Sequence, residues 1–210
     1  MTLSEKNVAE SLLKIKAIKL QPNNPFTWAS GWHSPIYCDN RKTLSYPEIR
    51  TLIRDAFVEE IKNKYPQAEL IAGVATGAIA QGALVAQALG LPFVYVRSSP
   101  KDHGLGNLIE GDLNKGQKTV IIEDLISTGG SSLKAAEALR AAEADVLGMV
   151  AIFTYGFPVS EQAFKDHALE LTTLSNYNAM IETALSIGYI SDSDVENLKQ
   201  WRKSPDTWGR

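Results

Sequence analysis

The chain has 210 residues, of which 44% are hydrophobic and 21% charged, and its formal net charge is −3. This length predicts one globular domain without room for a second catalytic domain. The acidic balance argues against nucleic-acid and acidic membrane partners, and no apolar run approaches the roughly 20 residues that span a bilayer. With one cysteine and no signal-peptide pattern, we expect a cytoplasmic protein whose partners are small molecules.

The N-terminal part predicts a helix followed by a hairpin. Ser4 can cap a helix that continues to about Ala17 on an apolar stripe, and the prolines at 22–25 break it. Aromatic and β-branched residues in 26–38, which we name the hood, then predict a two-stranded ribbon with backbone N–H groups at its Ser30-Gly31 tip. An edge hairpin packed by two tryptophans explains the hood pattern about equally well.

From residue 46 onward, strand and helix patterns alternate. This alternation predicts an α/β fold, with a mainly parallel sheet flanked by helices. The predicted strands are 69–74, 91–96, 120–122, 146–153 and 168–174. The predicted helices are 47–64, a segment from the 75–78 turn to Gly90, 133–142, 175–187 and 192–202.

The connection 97–116, which we name the lid, is long for a loop within a compact domain. Loops of this length without a core pattern are usually mobile lids or disordered segments. It contains Arg97, Lys101 and His103, whose positive charge suits a diphosphate leaving group, and its glycines permit a closure that excludes water. A solvated basic loop is the alternative interpretation.

The next stretch carries the strongest chemical pattern. An apolar strand stops at Glu123 and Asp124, and 127–131 turns the chain into a helix. Ligands bind at the carboxyl ends of strands in open α/β sheets, so we expect both acids at the site and not in the core. An ordinary strand-to-helix connection explains the turn, but not two adjacent acids, because an unpaired buried carboxylate is costly.

The turn 127–131 and the acids together predict a ligand. Backbone N–H groups, the hydroxyls of Ser127, Thr128 and Ser131, and the helix N-terminus can surround a phosphate. The acids would repel a bare phosphate, whereas they can accept hydrogen bonds from the hydroxyls of a sugar. The pattern therefore predicts a cradle for ribose 5-phosphate.

Three segments resemble one known family. Residues 123–131, Glu-Asp-Leu-Ile-Ser-Thr-Gly-Gly-Ser, closely resemble the phosphoribosyl pyrophosphate (PRPP) motif of type I phosphoribosyltransferases, and most of all that of orotate phosphoribosyltransferases. The hood and the lid resemble the orotate-covering hood and the catalytic loop of the same family. The matching positions are Phe26, Thr27, Ser30, Gly31, Ser34 and Pro35 in the hood, and Arg97, Lys101, His103 and Gly104 in the lid.

The resemblance implies a fold and a reaction. The fold would be that of the type I phosphoribosyltransferases, with an N-terminal helix and hood in 1–45, a core in 46–210 and a mobile lid. The enzyme, a pentosyltransferase, would convert orotate and PRPP to orotidine 5′-monophosphate and diphosphate in de novo pyrimidine (UMP) biosynthesis. Mg²⁺ would be the cofactor, carried by substrate oxygens with at most Glu123 and Asp124 as contacts. A homodimer would share each lid across its interface.

The resemblance also implies roles for particular residues. Catalytic roles fall on Lys101, His103 and Asp124, and Thr76 is a weaker candidate for a contact with the diphosphate. Orotate would be bound by Ser127, Phe26, Ser30 and Gly31. PRPP would be bound by Arg97, Lys101, His103, Glu123, Asp124, Leu125, Ile126, Ser127, Thr128, Gly129, Gly130 and Ser131.

Several positions depart from the family pattern. Ala29 stands where many members have lysine, Gly77 lies in a turn that often contains one, and Ser98 replaces a basic residue of the lid. The Thr154-Tyr155 region lacks the arginine that contacts orotate in some members. The roles of those basic groups are therefore absent here or supplied by other residues.

Two other functions compete with the orotate assignment. One is a type I phosphoribosyltransferase acting on a purine or uracil, against which the hood and the Lys101-Asp102-His103-Gly104 segment argue. The other is a regulator that keeps the motif as a PRPP sensor. Such a regulator should carry a DNA-binding domain or a basic face, and this acidic chain shows neither.

Overall fold

The structure is a computed structural model that describes residues 4–28, 31–99 and 108–208. None of the helices in these ranges is long and apolar enough to cross a membrane. The strands are β1 (Ile18–Leu20), β2 (Phe26–Thr27), β3 (His33–Ser34), β4 (Ile36–Cys38), β5 (Leu70–Val74), β6 (Phe93–Val96), β7 (Ile109–Glu110), β8 (Lys118–Ile126), β9 (Asp145–Thr154) and β10 (Leu171–Asn176). The helices are α1 (Glu5–Lys14), a 3₁₀ helix (Asn40–Ser45), α2 (Pro47–Lys64), α3 (Ile79–Leu89), α4 (Gly130–Ala141), α5 (Pro158–Asp166), α6 (Tyr177–Ser186) and α7 (Asp192–Lys203).

The central sheet has six strands in the order β10-β9-β8-β5-β6-β7. Its neighbouring strands run parallel except β7, which is antiparallel to β6, so the predicted mainly parallel sheet is confirmed. The chain passes from β5 to β6 on one side, then from β8 to β9 and β10 on the other. The strand order therefore reverses between β5 and β8, and open α/β sheets bind ligands at such a point.

Both faces of the sheet are covered by helices. Ile71 and Ile122 belong to a core cluster that they share with α1, α2, α3, α6 and α7. Ile121 and Met149 belong to a second cluster on the other face, with α4 and α5. Because both faces are buried, the central strands need continuous apolar runs, which is why their positions could be predicted.

The N-terminal part forms two small antiparallel ribbons. The ribbon predicted within the hood is present, with Phe26 opposite Ser34 and Thr27 opposite His33. A second ribbon, in which β1 pairs with β4, was not predicted. Ala29 and Ser30 lie outside the described residues.

Some predicted boundaries and connections were wrong. Helix α1 ends at Lys14 and not near Ala17, because Lys16 takes a positive φ of 55° and the chain then enters β1. The last strand of the sheet begins at Leu171, since Ala168 also has a positive φ, of 46°. The 3₁₀ helix and α5 were not predicted at all.

The lid contains regular structure that its sequence pattern did not indicate. Strand β7 lies within it and pairs with β6. In addition, the Arg97 N–H donates to the Leu108 carbonyl over 2.8 Å. The two described ends of the 100–107 segment are therefore held together at the edge of the sheet.

Candidate active site

Glu123 lies buried beneath the site, with only 4% of its surface exposed. Ser132 Oγ donates to its Oε2 over 2.7 Å, and the Asp124 N–H donates to its Oε1 over 2.9 Å. The expectation that both acids would lie outside the core was therefore wrong for Glu123. Because both oxygens of this carboxyl group have hydrogen-bond partners, its burial is tolerated. Ser132 was not among the predicted site residues, although a buried acid requires such a partner.

The two acids control each other's protonation. Burial raises the pKa of Glu123 to about 8, and the charge of Asp124 contributes to this rise. Burial also raises the pKa of Asp124, whereas the hydrogen bond to Glu123 and the positive charge of Arg41 oppose that rise. Near neutral pH we expect the pair to hold one proton, mainly on Glu123, and Asp124 to be the ionised member.

A cleft of about 400 Å³ opens beside Asp124, between the carboxyl ends of β5 and β8. The turn 75–77, Leu125 and Ser131 are among the residues that line it. The peptide bond between Ala75 and Thr76 is cis. A Cβ atom at Gly77 would overlap the Asp124 carboxylate as it is placed here, so a side chain at this position would require Asp124 to move.

The turn 127–131 leads from β8 into the N-terminus of α4. Gly129 has a φ of +85°, and a Cβ atom there would press on the Phe164 ring, so glycine is required. Thr128 and Ser131 are exposed and Ser127 is half-buried. The first turn of a helix leaves N–H groups unpaired and carries the positive end of its dipole. Phosphate binding by this turn is geometrically possible and stays a prediction.

Two residues of the predicted PRPP motif have apolar roles in the structure. Ile126 is fully buried in the second core cluster, so a ligand could reach only its backbone, and its carbonyl accepts from the Tyr155 N–H over 3.1 Å. Leu125 is half-buried and packs against the first core cluster. The side chains of both residues thus serve packing on the two faces of the sheet.

Asp39 and the start of the 3₁₀ helix form a further part of the cleft, which was not predicted from the sequence. Asn40 is fully buried, and its Nδ2 donates to the Asp124 carbonyl over 2.6 Å. Arg41 Nε donates to Asp39 Oδ1 over 2.7 Å, and Asp39 and Arg41 both line the cleft. The one local signal was a run of polar residues, 39–42, directly after the hood.

Aromatic rings hold the hood near the turn 127–131. The Trp28 ring centroid lies 5.3 Å from that of Tyr155 and 5.7 Å from that of Trp201 in α7. Trp28 Nε1 donates to the Ile36 carbonyl over 3.0 Å, which fixes the ring within the hood. Since the Tyr155 N–H bonds to the carbonyl that precedes Ser127, the hood adjoins that turn.

Of the four residues predicted to bind orotate, the structure describes Phe26, Gly31 and Ser127. Phe26 packs against Tyr37, with ring centroids 5.6 Å apart. Within the described residues, Phe26, Gly31 and Ser127 do not line the cleft around Asp124. Ser30 lies outside the described residues. Their contact with orotate stays a prediction.

The described part of the lid places Arg97 beside Glu110, with 3.4 Å between Nη1 and Oε1. A second recess, of about 600 Å³, adjoins the cleft and is lined by Arg97, Ser131 and Lys134, which was not among the predicted residues. Lys101 and His103 lie outside the described residues, so their roles stay predictions. Among the described residues, no group of three or more His, Cys, Asp or Glu side chains could hold a metal ion.

Known proteins share both the fold and the sequence of this chain. The model of the phosphoribosyl transferase domain family matches residues 42–185. The orotate phosphoribosyltransferase of Porphyromonas gingivalis is 65% identical over 204 residues, which cover 97% of this chain and 97% of that protein. The enzyme of the same name from Listeria monocytogenes is 54% identical, with coverage of 98% and 99%.

Solved structures agree on the architecture. The orotate phosphoribosyltransferase from Aeropyrum pernix is similar with a TM-score of 0.74 at 26% identity, covering 88% of this chain and 99% of that one. UMP synthase from Leishmania donovani gives a TM-score of 0.79 at 23% identity, which concerns the fold alone. That likeness covers 94% of this chain and 42% of the synthase.

A parallel sheet with an acid pair at its switch point, matched by the family model over more than half of the chain, defines a type I phosphoribosyltransferase. Within this class, the chain is 65% and 54% identical to two orotate phosphoribosyltransferases over nearly the whole length. The chain belongs to the orotate phosphoribosyltransferase family, as its sequence motifs predicted.

Proposed function

We propose that the protein is a pentosyltransferase that moves the ribose 5-phosphate group of PRPP to orotate. The products are orotidine 5′-monophosphate and diphosphate, and the reaction is a step of de novo pyrimidine biosynthesis. The observation that carries the proposal is that the Asp124 carboxylate and the N-terminus of α4 meet at one cleft. A sugar phosphate uses both groups, because its hydroxyls donate to a carboxylate while its phosphate accepts from N–H groups.

The ribose lies against Asp124 in this proposal. As the ionised member of the acid pair, Asp124 accepts hydrogen bonds from ribose hydroxyls, while the buried Glu123 holds its backbone N–H. The 5-phosphate takes the turn 127–131, where exposed Thr128 and Ser131 offer hydroxyls beside the helix N-terminus. The base then lies toward the hood, with Ser127 at its edge.

Cleavage of the bond to diphosphate leaves positive charge on the sugar, as in an oxocarbenium ion. Fixed groups lower this barrier by holding the reactants in position and by stabilising charge where it develops, so no covalent nucleophile is needed. Asp124 is near the sugar, and Lys101 and His103 neutralise the departing diphosphate. The exclusion of water by the lid would protect the reactive sugar from hydrolysis.

The residues at the cleft fit a magnesium ion that is held mainly by the substrate. Mg²⁺ keeps several waters and prefers substrate phosphates with one or two carboxylates, and Asp124 offers such a carboxylate at the cleft. When bound, the ion would neutralise charge on the diphosphate.

We also propose a homodimer in which each lid reaches the partner subunit's cleft. A cytoplasmic location stays a prediction.

The function is tested by measuring diphosphate release from PRPP and Mg²⁺ with orotate, uracil, hypoxanthine or adenine. We expect release with orotate alone, and orotidine 5′-monophosphate as the second product. A matched reaction with Asp124→Asn should be slowed greatly while its circular dichroism spectrum is unchanged. Equal release with a purine would reject the assignment of the base, and addition of EDTA tests the requirement for the metal ion.

A further inference from the structure

Arg41 supplies positive charge to a cleft that otherwise carries acids. Among the described residues that line this cleft, Arg41 is the one with a cationic side chain, whereas Asp39, Glu123 and Asp124 are acidic. Diphosphate is strongly anionic, and its oxygens bind best to charged donors. The charge of Arg41 is therefore available where a phosphoribosyl donor with a diphosphate group would lie.

Asp39 sets the direction of the Arg41 guanidinium. Its Oδ1 accepts from Arg41 Nε over 2.7 Å and from the Arg41 backbone N–H over 3.3 Å. The Arg41 side chain is 59% exposed, and in the described structure its two terminal nitrogens have no protein partner. A guanidinium held by its Nε edge presents its remaining N–H groups as a fork, which can bind two phosphate oxygens at once.

The 3₁₀ helix that carries Arg41 is bonded to the acid pair. Buried Asn40 donates to the Asp124 carbonyl over 2.6 Å, and Thr43 Oγ1 donates to the Asn40 carbonyl over 2.7 Å. The guanidinium is thus placed relative to Asp124 before any ligand arrives. Its positive charge already acts on Asp124, where it opposes the rise in pKa that burial causes.

The turn 75–77, which also lines the cleft, contains no cationic side chain. The turn at Thr76 and Gly77 offers backbone groups and one hydroxyl, and any side chain at position 77 would overlap the Asp124 carboxylate. We propose that Arg41 binds the diphosphate group of PRPP, from the same chain that supplies Asp124, and that Asp39 positions it. This inference rests on the proposed function, because it takes PRPP as the ligand.

The test compares the binding of two fragments of the donor to the full-length protein by titration calorimetry. Diphosphate with Mg²⁺ probes the proposed contact, and ribose 5-phosphate probes the remainder of the cleft. In Arg41→Gln we expect diphosphate affinity to fall by about tenfold or more, as for a lost charge-assisted contact, and ribose 5-phosphate affinity to change by less than about twofold. Arg41→Lys, which keeps the charge but not the fork, should bind diphosphate with intermediate affinity.

Arg54→Gln is the matched control, because Arg54 also pairs with a nearby aspartate, Asp55, over 2.6 Å but lies in α2 and does not line the cleft. It should leave both affinities unchanged. An unaltered diphosphate affinity in Arg41→Gln would overturn the inference, and so would equal losses for both fragments, which would place Arg41 at the ribose. If the wild-type protein neither bound diphosphate nor formed orotidine 5′-monophosphate, the proposed function itself would fail.

Discussion

Glu123 and Asp124 are neighbours in the chain, yet their surroundings give them different chemistry. Successive residues of a strand point to opposite faces, so β8 directs Glu123 toward Ser132 in α4 and Asp124 toward the 3₁₀ helix that contains Arg41. The first acid is desolvated and favours its proton, and the second has a cation nearby. The carboxyl group of Glu123 is thus buried beneath the site, whereas the carboxylate of Asp124 is available to a ligand.

The raised pKa of Glu123 predicts a particular dependence of stability on pH. Its pKa is about 8 in the folded protein, against an ordinary value of 4.5. Between these values the folded protein binds more protons than the unfolded chain, so the free energy of unfolding should decrease as the pH rises. Glu123→Gln cannot titrate and should lose stability less steeply between about pH 5 and pH 8, as measured by urea unfolding in EDTA without ligands.

The control for this substitution is Glu196→Gln, which alters an exposed carboxylate on α7. Its stability should follow the wild-type dependence on pH. If Glu123→Gln lost as much stability over this interval as the wild-type protein, protonation of Glu123 could not be the origin of the effect.

At the scale of whole elements, the hood and α7 lie outside the region that matches the family model, residues 42–185, and they pack against each other. Arg202 of α7 also donates from Nε to the Tyr155 carbonyl over 3.0 Å and from Nη2 to the Gly156 carbonyl over 2.8 Å. Helix α7 therefore braces both the hood and the loop after β9. We expect this brace to help define the side of the cleft where the base binds.

Trp201 is central to this brace, and its loss should be costly. Its fully buried ring packs against Trp28, Tyr155, Phe157 and Tyr177. Its Nε1 has no hydrogen-bond partner in the described structure, so it acts through packing. Trp201→Ala should reduce the free energy of unfolding by about 3–5 kcal/mol and weaken orotate binding, as measured by urea unfolding and by calorimetry.

Trp201→Phe and Trp208→Ala are the controls for this substitution. Trp201→Phe keeps an aromatic ring and should cost less than the alanine substitution. Trp208→Ala removes a half-buried tryptophan near the C-terminus and should also cost less, because less surface is lost from the core. If Trp201→Ala were no worse than Trp208→Ala, α7 would not act as a brace.

The features that could be predicted from the sequence depend on residues that are close together in the chain. Helix α2 and the buried strands β5 and β9 carry continuous or periodic apolar patterns, and the acids and glycines of 123–131 adjoin one another in the chain. The 3₁₀ helix could not be predicted, since its place depends on the bond from Asn40 to Asp124, which joins residues 84 positions apart. The division of the acids into a buried and an accessible member was missed because Ser132 is contributed by a helix on one face.

At the scale of the whole molecule, the charge of the cleft raises the question of which subunit supplies the lid that closes over it. Arg41 is the cation that lines it among the described residues, whereas the proposed donor carries several negative charges. Further positive charge is expected from Lys101 and His103 of the lid. A lid can close over its own cleft or over a neighbour's, and in a two-fold dimer a shared arrangement would give two equivalent sites.

Subunit exchange between two inactive variants tests the shared arrangement. Asp124→Asn and Lys101→Ala are each expected to be nearly inactive. If Lys101 acts in the partner's cleft, a hybrid dimer has one site with both defects and one intact site. Random exchange makes about half of the dimers hybrid, so the mixture should recover roughly a quarter of the wild-type activity. A mixture of Asp124→Asn with wild type is the control and should retain about half of it.

The same mixture distinguishes the arrangement within one chain. If Lys101 closes over the cleft of its own subunit, every site in a hybrid dimer keeps one defect and mixing restores nothing. Exchange can be verified by mass spectrometry of differently tagged chains, so that absence of recovery cannot be attributed to a failure of exchange. Verified exchange without recovery would reject the shared lid and would leave phosphoribosyl transfer at the Asp124 cleft intact, because Asp124 and Arg41 belong to the same chain in either arrangement.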